Sequence, residues 1–335
     1  MRAYRLSQFG LDHLHMKSSP PPTPGDGEVL IQVKAISLNH RDLMVIDGRY
    51  HPKLPLPAVP ISDGAGVVAA VGANVDRVAV GDRIVTHFVT DWIDGPFRGE
   101  YLKTSLGTPG AGLAAEQVVL PAQAVLPIPA GYSFAEAATL PIAALTAWSA
   151  LVTEGGMKTG QTVLTLGTGG VSLFALQLAK AMGIRVIITS SDDEKLVRAS
   201  RLGADETINY RTTPEWDRVV LDRTNGVGVD VVVETGGSGT LERSLRATRP
   251  GGTIAFLGAI TGLRSMLNVA PIVMKRLHVA GIYVDSKRNF EKLNRFLTSH
   301  RIQPVIDRTF SFEQLPGALL HLQAGAHFGK VVVEY

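Results

Sequence analysis

TVLTLGTGGVSLFALQLAKAM, residues Thr162–Met182, changes character twice. Val163–Leu166 is a short apolar run. Gly167, Thr168, Gly169 and Gly170 interrupt it, and apolar residues then recur at Val171, Phe174, Leu178 and Met182, which is helical spacing. A strand, a glycine turn and a helix in that order aim backbone N–H groups and the positive end of a helix dipole at a phosphate. Glycine allows the tight turn and lets backbone approach a ligand with no Cβ in the way. Gly167, Thr168, Gly169, Gly170 and Val171 are therefore the candidate pyrophosphate contacts. Ser172 stands where the usual dinucleotide fingerprint has a third glycine, so a turn that serves only packing is the competing reading of the motif alone.

The surroundings extend the pattern. From Ser133 onward helical and strand-like segments alternate, with strands expected at Thr162–Leu166, Arg185–Thr189, Glu206–Asn209, Val229–Glu234, Thr253–Leu257 and Val279–Val284. That alternation predicts an α/β domain built on a doubly wound parallel sheet. Residues 1–127 are punctuated by Pro and Gly and carry β-type runs at Val29–Val33, Gly66–Val71, Asp82–Thr86 and Gln117–Leu120. A long loop, residues 91–112, contains Trp92, Phe97 and Tyr101, which are able to cap an apolar pocket. After Asp285 the sequence predicts a helix over Phe290–His300, a segment Pro304–Phe310, a helix near Leu315–Leu322 and a last strand Lys330–Glu334. The expected organisation is one domain over 1–127, a second over 128–285, and a return of 286–335 to the first.

Composition narrows the function. At 335 residues the chain suits two domains. It is 45% hydrophobic and 19% charged with a net charge of +3, and no basic run is interleaved with aromatics. Nucleic acid is therefore not an expected partner. No apolar stretch reaches the roughly 18–20 residues of a membrane span, and the N-terminus has no apolar signal core, so a cytoplasmic location is expected. The absence of cysteine excludes disulfides, a four-cysteine zinc site and a thiol nucleophile.

The second strand of a dinucleotide-binding sheet normally ends in a carboxylate for the ribose hydroxyls of NAD, roughly 20 residues past the glycines. Here Arg185–Ser190 ends in a hydroxyl, which donates to a 2′-phosphate where a carboxylate would repel it. Ser191 and Glu194 have capping-box spacing, which assigns the acids at 192–194 to a helix start. Lys195 either reaches the phosphate as a point charge or is a solvated helix lysine. Ser190 and Lys195 together favour NADPH over NADH, and Ser191 is a further candidate cofactor contact.

Several segments carry a family resemblance: ISLNHRDL (Ile36–Leu43), DGRYHPKLPLPAVPISDGAGVVAAVG (Asp47–Gly72), VGDRI (Val80–Ile84), AATLPIAALTAWSAL (Ala137–Leu151), GTGGVSLFALQLAKAMG (Gly167–Gly183), INY (Ile208–Tyr210), PGG (Pro250–Gly252) and HFGKVVV (His327–Val333). In order and over nearly the whole chain they resemble the medium-chain dehydrogenase/reductase superfamily. The resemblance implies a GroES-like β-barrel domain, a Rossmann cofactor domain and a C-terminal return. Where zinc-dependent members carry their catalytic ligands, this chain has Asn39, Ser62 (followed by Asp63) and Ile142. Ile142 has no donor atom, and the set is a poor one for zinc. What remains is similar to the zinc-free quinone oxidoreductases and enone reductases.

The resemblance also implies site roles. Tyr50 is the expected donor or proton relay at the acceptor oxygen, or else an aromatic lining. Asn39 offers an amide donor or serves as a turn residue. His40 contacts the pyrophosphate, relays protons or is a packing residue, and Asp42 orients His40 or Arg41. Thr146, in LTAW, is expected at the nicotinamide, as are Gly258 and Ala259. Gly236 and Gly237 are expected near the adenosine ribose, and Tyr210 near the 2′-phosphate. The implied reaction is hydride transfer from NADPH to a small enone or quinone, with a zinc-free alcohol dehydrogenase or ketone reductase as the alternative and a non-catalytic or RNA-associated role as a remote one. A homodimer joined through the last strand of the parallel sheet is expected.

Overall fold

In the computed structural model, which describes residues 1–264 and 266–335, Thr162–Leu166 lies in the middle of a six-stranded sheet. The strand order is Glu206–Asn209, Arg185–Ser190, Thr162–Leu166, Val229–Glu234, Thr248–Phe256, His278–Gly281. Every neighbouring pair is parallel. The three central strands are buried along almost their whole length, as expected when helices cover both faces of a parallel sheet. Leu164, Ile187, Val232, Ile254, Leu245 and Trp216 belong to one core cluster. The order reverses between Thr162–Leu166 and Val229–Glu234, and the carboxyl ends of strands flanking such a reversal form the ligand crevice of open α/β sheets.

Two strands differ from expectation. The fifth starts at Thr248, not Thr253, because Pro250–Gly252 is absorbed by a register shift against Val229–Val231 and Gly251 N–H is satisfied by the Lys275 carbonyl at 2.7 Å. The sixth covers His278–Gly281 and does not run on to Val284.

This sheet and its helices form one compact unit, residues 146–285. Residues 1–145 and 286–335 form the other. Residues 128–145, grouped with the cofactor domain in the sequence reading, thus cluster with the first unit. Their helix Phe134–Ala138 starts in a reciprocal cap between Ser133 and Glu136 and packs on Glu28–Leu38 and Asp63–Val71.

The first unit is organised by the eleven-residue strand Glu28–Leu38. Its N-terminal half pairs with Gln117–Pro121 and its C-terminal half with Lys330–Glu334, while Asp63–Val71 runs along its other edge. Register shifts at Leu30/Ile31 and Val33/Ala35 bend and twist the strand, which lets one strand serve two partners on the same side. The C-terminal return is thus a strand addition, with Val331 opposite Leu38 and Glu334 opposite Ala35. Among the described residues no helix is long and apolar enough to cross a membrane.

Candidate active site

The glycine turn of the second unit is an open cradle. Gly167 has φ +77°, a conformation L side chains rarely adopt, and a Cβ at Gly167 or Gly169 would meet nothing within 4 Å. Gly169 is the N-cap of the helix Gly170–Ala181 and supplies no side-chain cap, so the first-turn N–H groups keep their donor capacity for a ligand. The serine that breaks the fingerprint is buried and donates to the Leu166 carbonyl at 2.8 Å. Thr235 donates to the same carbonyl at 2.8 Å, and Gly167 N–H donates to Thr189 Oγ1 at 3.3 Å. Ser172 therefore fixes the strand end against the turn.

The expected 2′-phosphate residues gather at the ends of the second and third strands. Ser190 pairs in register with Asn209, and Tyr210 N–H donates to the Ser190 carbonyl at 3.0 Å. Ser190 is buried and its hydroxyl accepts from Asp192 N–H at 3.3 Å; Ser191 lies beside it. The helix Asp193–Arg201 is capped by Asp192, whose carboxylate accepts from Lys195 N–H at 3.0 Å. This corrects the Ser191–Glu194 box: the loop after Ser190 runs one residue further before the helix starts, and Asp192 takes the cap. Asp193 accepts from Asn209 Nδ2 at 2.7 Å. Two of the three acids are thus occupied by the local fold.

Glu234, which the sequence reading did not single out, organises the loop after the fourth strand. It is fully buried and accepts from Gly236 N–H (2.8 Å), Gly237 N–H (3.0 Å), Thr240 Oγ1 (2.6 Å) and Ser244 Oγ. Thr261 then bonds the Gly236 carbonyl through its N–H at 2.7 Å and its hydroxyl at 2.8 Å. A Cβ on Gly237 would lie 2.7 Å from Ala259 Cα, and one on Gly258 would lie 2.3 Å from the Thr235 carbonyl oxygen. Gly236, Gly237, Gly258 and Ala259 are therefore one packed junction. Thr146 is 3% exposed, and its Oγ1 has no hydrogen-bond partner among the described residues. A buried hydroxyl left unsatisfied calls for a ligand or water. The open cradle and this orphaned hydroxyl fit a dinucleotide.

In the first unit, the residues around the helix His40–Ile46 form a buried polar network. Lys330 Nζ donates to the Leu38 carbonyl and to Asn39 Oδ1, both at 2.6 Å. Asn39 Nδ2 donates to Asp63 Oδ2 at 2.9 Å and to the Ser37 carbonyl at 3.4 Å, and Asn39 N–H donates to Asp42 Oδ2 at 2.8 Å. Ser62 Oγ donates to Asp42 Oδ1 at 3.0 Å and accepts from Arg41 Nη1. Asp42, Ser62, Asp63 and Lys330 are all buried. Burial pushes the Asp63 carboxyl up to about 7 against the opposing pull of Lys330. It also raises Asp42, and it lowers Lys330 against the pull of Asp63 and Asp42. Asp63 Oδ1 is buried with no partner among the described residues.

This geometry bears on three expectations. The Asn39 amide is committed inside the network and is not held out to an acceptor. Asp42 reaches Arg41 through Ser62, whereas His40 is exposed on the first helical turn. Trp92, Phe97 and Tyr101 pack on one another at 5.0–6.1 Å, and the carbonyls of Trp92 and Ile93 accept from Lys287 and Arg288 N–H at the start of the helix Lys287–His300. That loop is therefore docked on its own unit. Tyr50 is half-buried, its ring 4.4 Å from the Arg41 guanidinium.

The donors do not fit zinc. Asn39 Oδ1 faces an ammonium, Ser62 takes a guanidinium, and Ile142 contributes only its N–H, 3.3 Å from Asp63 Oδ2. Among the described residues no group of three or more His, Cys, Asp or Glu is placed to hold a metal. Lys330 escaped the sequence reading as a single lysine heading an apolar strand, KVVV; that misplaced charge was its signal.

Comparison with known proteins agrees with this architecture. Residues 25–130 match the family described as alcohol dehydrogenase GroES-like domain, and residues 170–299 match that described as zinc-binding dehydrogenase. A zinc-type alcohol dehydrogenase-like protein of Schizosaccharomyces pombe is 41% identical, covering 97% of this chain and 96% of its own. A 2-methylene-furan-3-one reductase of Solanum lycopersicum is 32% identical over 99% of this chain and 79% of its own. The solved structure of an NAD-dependent alcohol dehydrogenase superposes with a TM-score of 0.92 at 37% identity, covering 100% of both chains.

Proposed function

Because this chain belongs to the medium-chain dehydrogenase/reductase superfamily and is a nicotinamide-dependent oxidoreductase of it, we propose that it is a zinc-independent, NADPH-preferring reductase of enones or quinones. One observation carries the proposal: at the positions where the family's catalytic metal is held, Asn39, Ser62 and Ile142 are already engaged by Lys330, Arg41 and Asp63. A fixed network of cations and carboxylates stands there. The relative that reduces a 2-methylene-furan-3-one supports the substrate class, since that name describes a C=C bond conjugated with a ketone.

The bound cofactor supplies the hydride. Thr168, Gly169, Gly170 and Val171 would bind its pyrophosphate through backbone N–H groups, and Gly167, whose own N–H is held by Thr189, would border it as the open corner of the turn. Ser190, Ser191, Lys195 and Tyr210 receive the 2′-phosphate, while Asp192 and Asp193 stay turned to the helix cap and to Asn209. Thr146 Oγ1, Gly258 and Ala259 orient the nicotinamide, and Gly236 borders the adenosine ribose. Tyr50 donates to the acceptor oxygen as charge develops there, replacing a Lewis acid by a hydrogen bond.

The test is an NADPH-oxidation screen of metal-free protein over enones, quinones, aldehydes and ketones, with product analysis. An enone reduced with its ketone retained supports the proposal. Turnover restored only by added zinc, or reduction of isolated ketones alone, overturns it.

The protein acts as a homodimer in this reading. His278–Gly281 is an open sheet edge, and Leu263, Met266, Val273 and Met274 are 75–100% exposed nearby in sequence. Apolar exposure of that extent marks an interaction surface. Light scattering should give twice the chain mass, and Met274→Glu with Val279→Lys should halve it. A wild-type monomer at micromolar concentration would refute the dimer.

A further inference from the structure

Beyond its bond to Ser62, Arg41 has a guanidinium held from several sides, its two terminal nitrogens engaged and its buried Nε without a partner among the described residues. Its Cζ lies 4.4 Å from the centroid of the Tyr50 ring and 4.8 Å from that of Phe88. Nη1 donates to Ser62 Oγ and, at 3.1 Å, to the Leu106 carbonyl, and Nη2 donates to the Thr108 carbonyl at 2.7 Å. Ser62 is tied in turn to Asp42, and Asp42 to the Asn39 backbone. Hydrogen bonds from two separated segments, Ser62 and 106–108, thus fix the plane of one planar cation. Phe88, 1% exposed, is a buried floor at one ring contact, while Tyr50 provides the other. A cation beside an aromatic face holds the ring through its quadrupole. Only arginine combines that contact with a rigid fork for several acceptors; a lysine ammonium keeps the charge but loses the plate.

We propose that Arg41 is the positioning residue of Tyr50: held by Ser62 and the carbonyls of Leu106 and Thr108, it sets where the phenol stands when it donates to the acceptor. The inference rests on the role given to Tyr50 above and adds the group that makes that role geometrically possible. Arg41 makes no claim on substrate, cofactor or the transferred hydrogen. Its effect passes through one ring. Ser62 has a matching part as the anchor that links this plate to the buried carboxylate of Asp42.

The test uses the full-length protein and the best acceptor from the screen. Tyr50→Phe should lower kcat about 10²-fold, the scale of a lost proton donor. Arg41→Met should lower kcat roughly ten- to a hundred-fold, the scale of a misplaced catalytic group, with KM for NADPH unchanged. Combined, the two substitutions should be no worse than Tyr50→Phe alone, and Arg41→Lys should not restore turnover. In protein labelled with 3-fluorotyrosine, Arg41→Met should shift or broaden the resonance that Tyr50→Phe deletes and leave the other six of the seven tyrosines in place. Ser62→Ala, which removes one anchor, should produce a smaller change in the same direction and serves if Arg41→Met fails to fold. Effects that multiply in the double variant, or an unmoved Tyr50 resonance, would overturn the positioning role. A Tyr50→Phe enzyme with intact kcat would instead refute the donor role itself, while the resonance still reports whether Arg41 fixes the ring.

Discussion

The glycine cradle of the second unit and the polar network of the first are built by opposite means. The cradle comes from one continuous stretch and presents main-chain N–H groups with no side chain over them. The network joins Asn39, Arg41 and Asp42 to Ser62, Asp63 and Lys330, with the last 291 residues from Asn39, and works through charge. Backbone-built sites tolerate substitution until a Cβ intrudes. Side-chain networks in a buried setting fail when one member is lost, because the remaining charges cannot be solvated.

The largest effect should therefore fall on the network. Lys330→Met leaves Asp63 and Asp42 buried without their ammonium and should cost about 3–5 kcal/mol of stability, read by urea denaturation. Adding Asp63→Asn should recover most of it. Failure of the second substitution to help would show that packing of the lysine stem, not charge, is what matters.

The cradle's charge readout comes next. Lys195→Ala should weaken NADPH binding by roughly 1.5–3 kcal/mol, about one to two decades in Kd, and leave NADH unchanged in calorimetric titration. Wild-type protein that binds both cofactors equally would mean that the acids at 192–194 face the ribose after all.

Protonation sharpens the contrast within the first unit. Burial lowers His87 to about 3, so between pH 6.5 and about 3 the unfolded chain binds a proton that the native protein refuses. Stability is lost there as pH falls, by up to about 1.4 kcal/mol per pH unit. Asp63, raised to about 7, does the reverse: from about pH 4 to 7 the native carboxyl keeps a proton that the unfolded chain has released, and its contribution falls as pH rises. The two slopes oppose each other between pH 4 and 6.5. His87→Gln should expose the Asp63 slope, with stability declining toward neutral pH; a pH profile unchanged from wild type would refute the opposition.

The smallest stability effect belongs to the cradle. Gly169→Ala places its Cβ in open space at an ordinary φ of −79° and should change stability by under about 1 kcal/mol, yet weaken NADPH binding by intruding where the phosphates sit. Gly258→Ala, aimed at the Thr235 carbonyl oxygen, should instead destabilise the unit. If both behave alike, the cradle is not a ligand site.

Sequence alone determined the features whose physics is local. Glycine spacing and the apolar run before it gave the strand, turn and helix of Thr162–Ala181, and the order of helices and strands gave the parallel sheet. Local chemistry also foretold the return strand Lys330–Glu334 and the strand-end serine at 190. Tertiary structure decided the rest. The cap at Asp192 depends on how tightly the loop after Ser190 closes, and the start of the fifth strand at Thr248 on a register slip against Val229–Val231. Most of all, nothing near Asn39 in sequence announces Lys330, because the two meet only when the last strand pairs with Glu28–Leu38. Backbone conformation is set by neighbours within a few residues; the company a buried charge keeps is set by the fold that buries it.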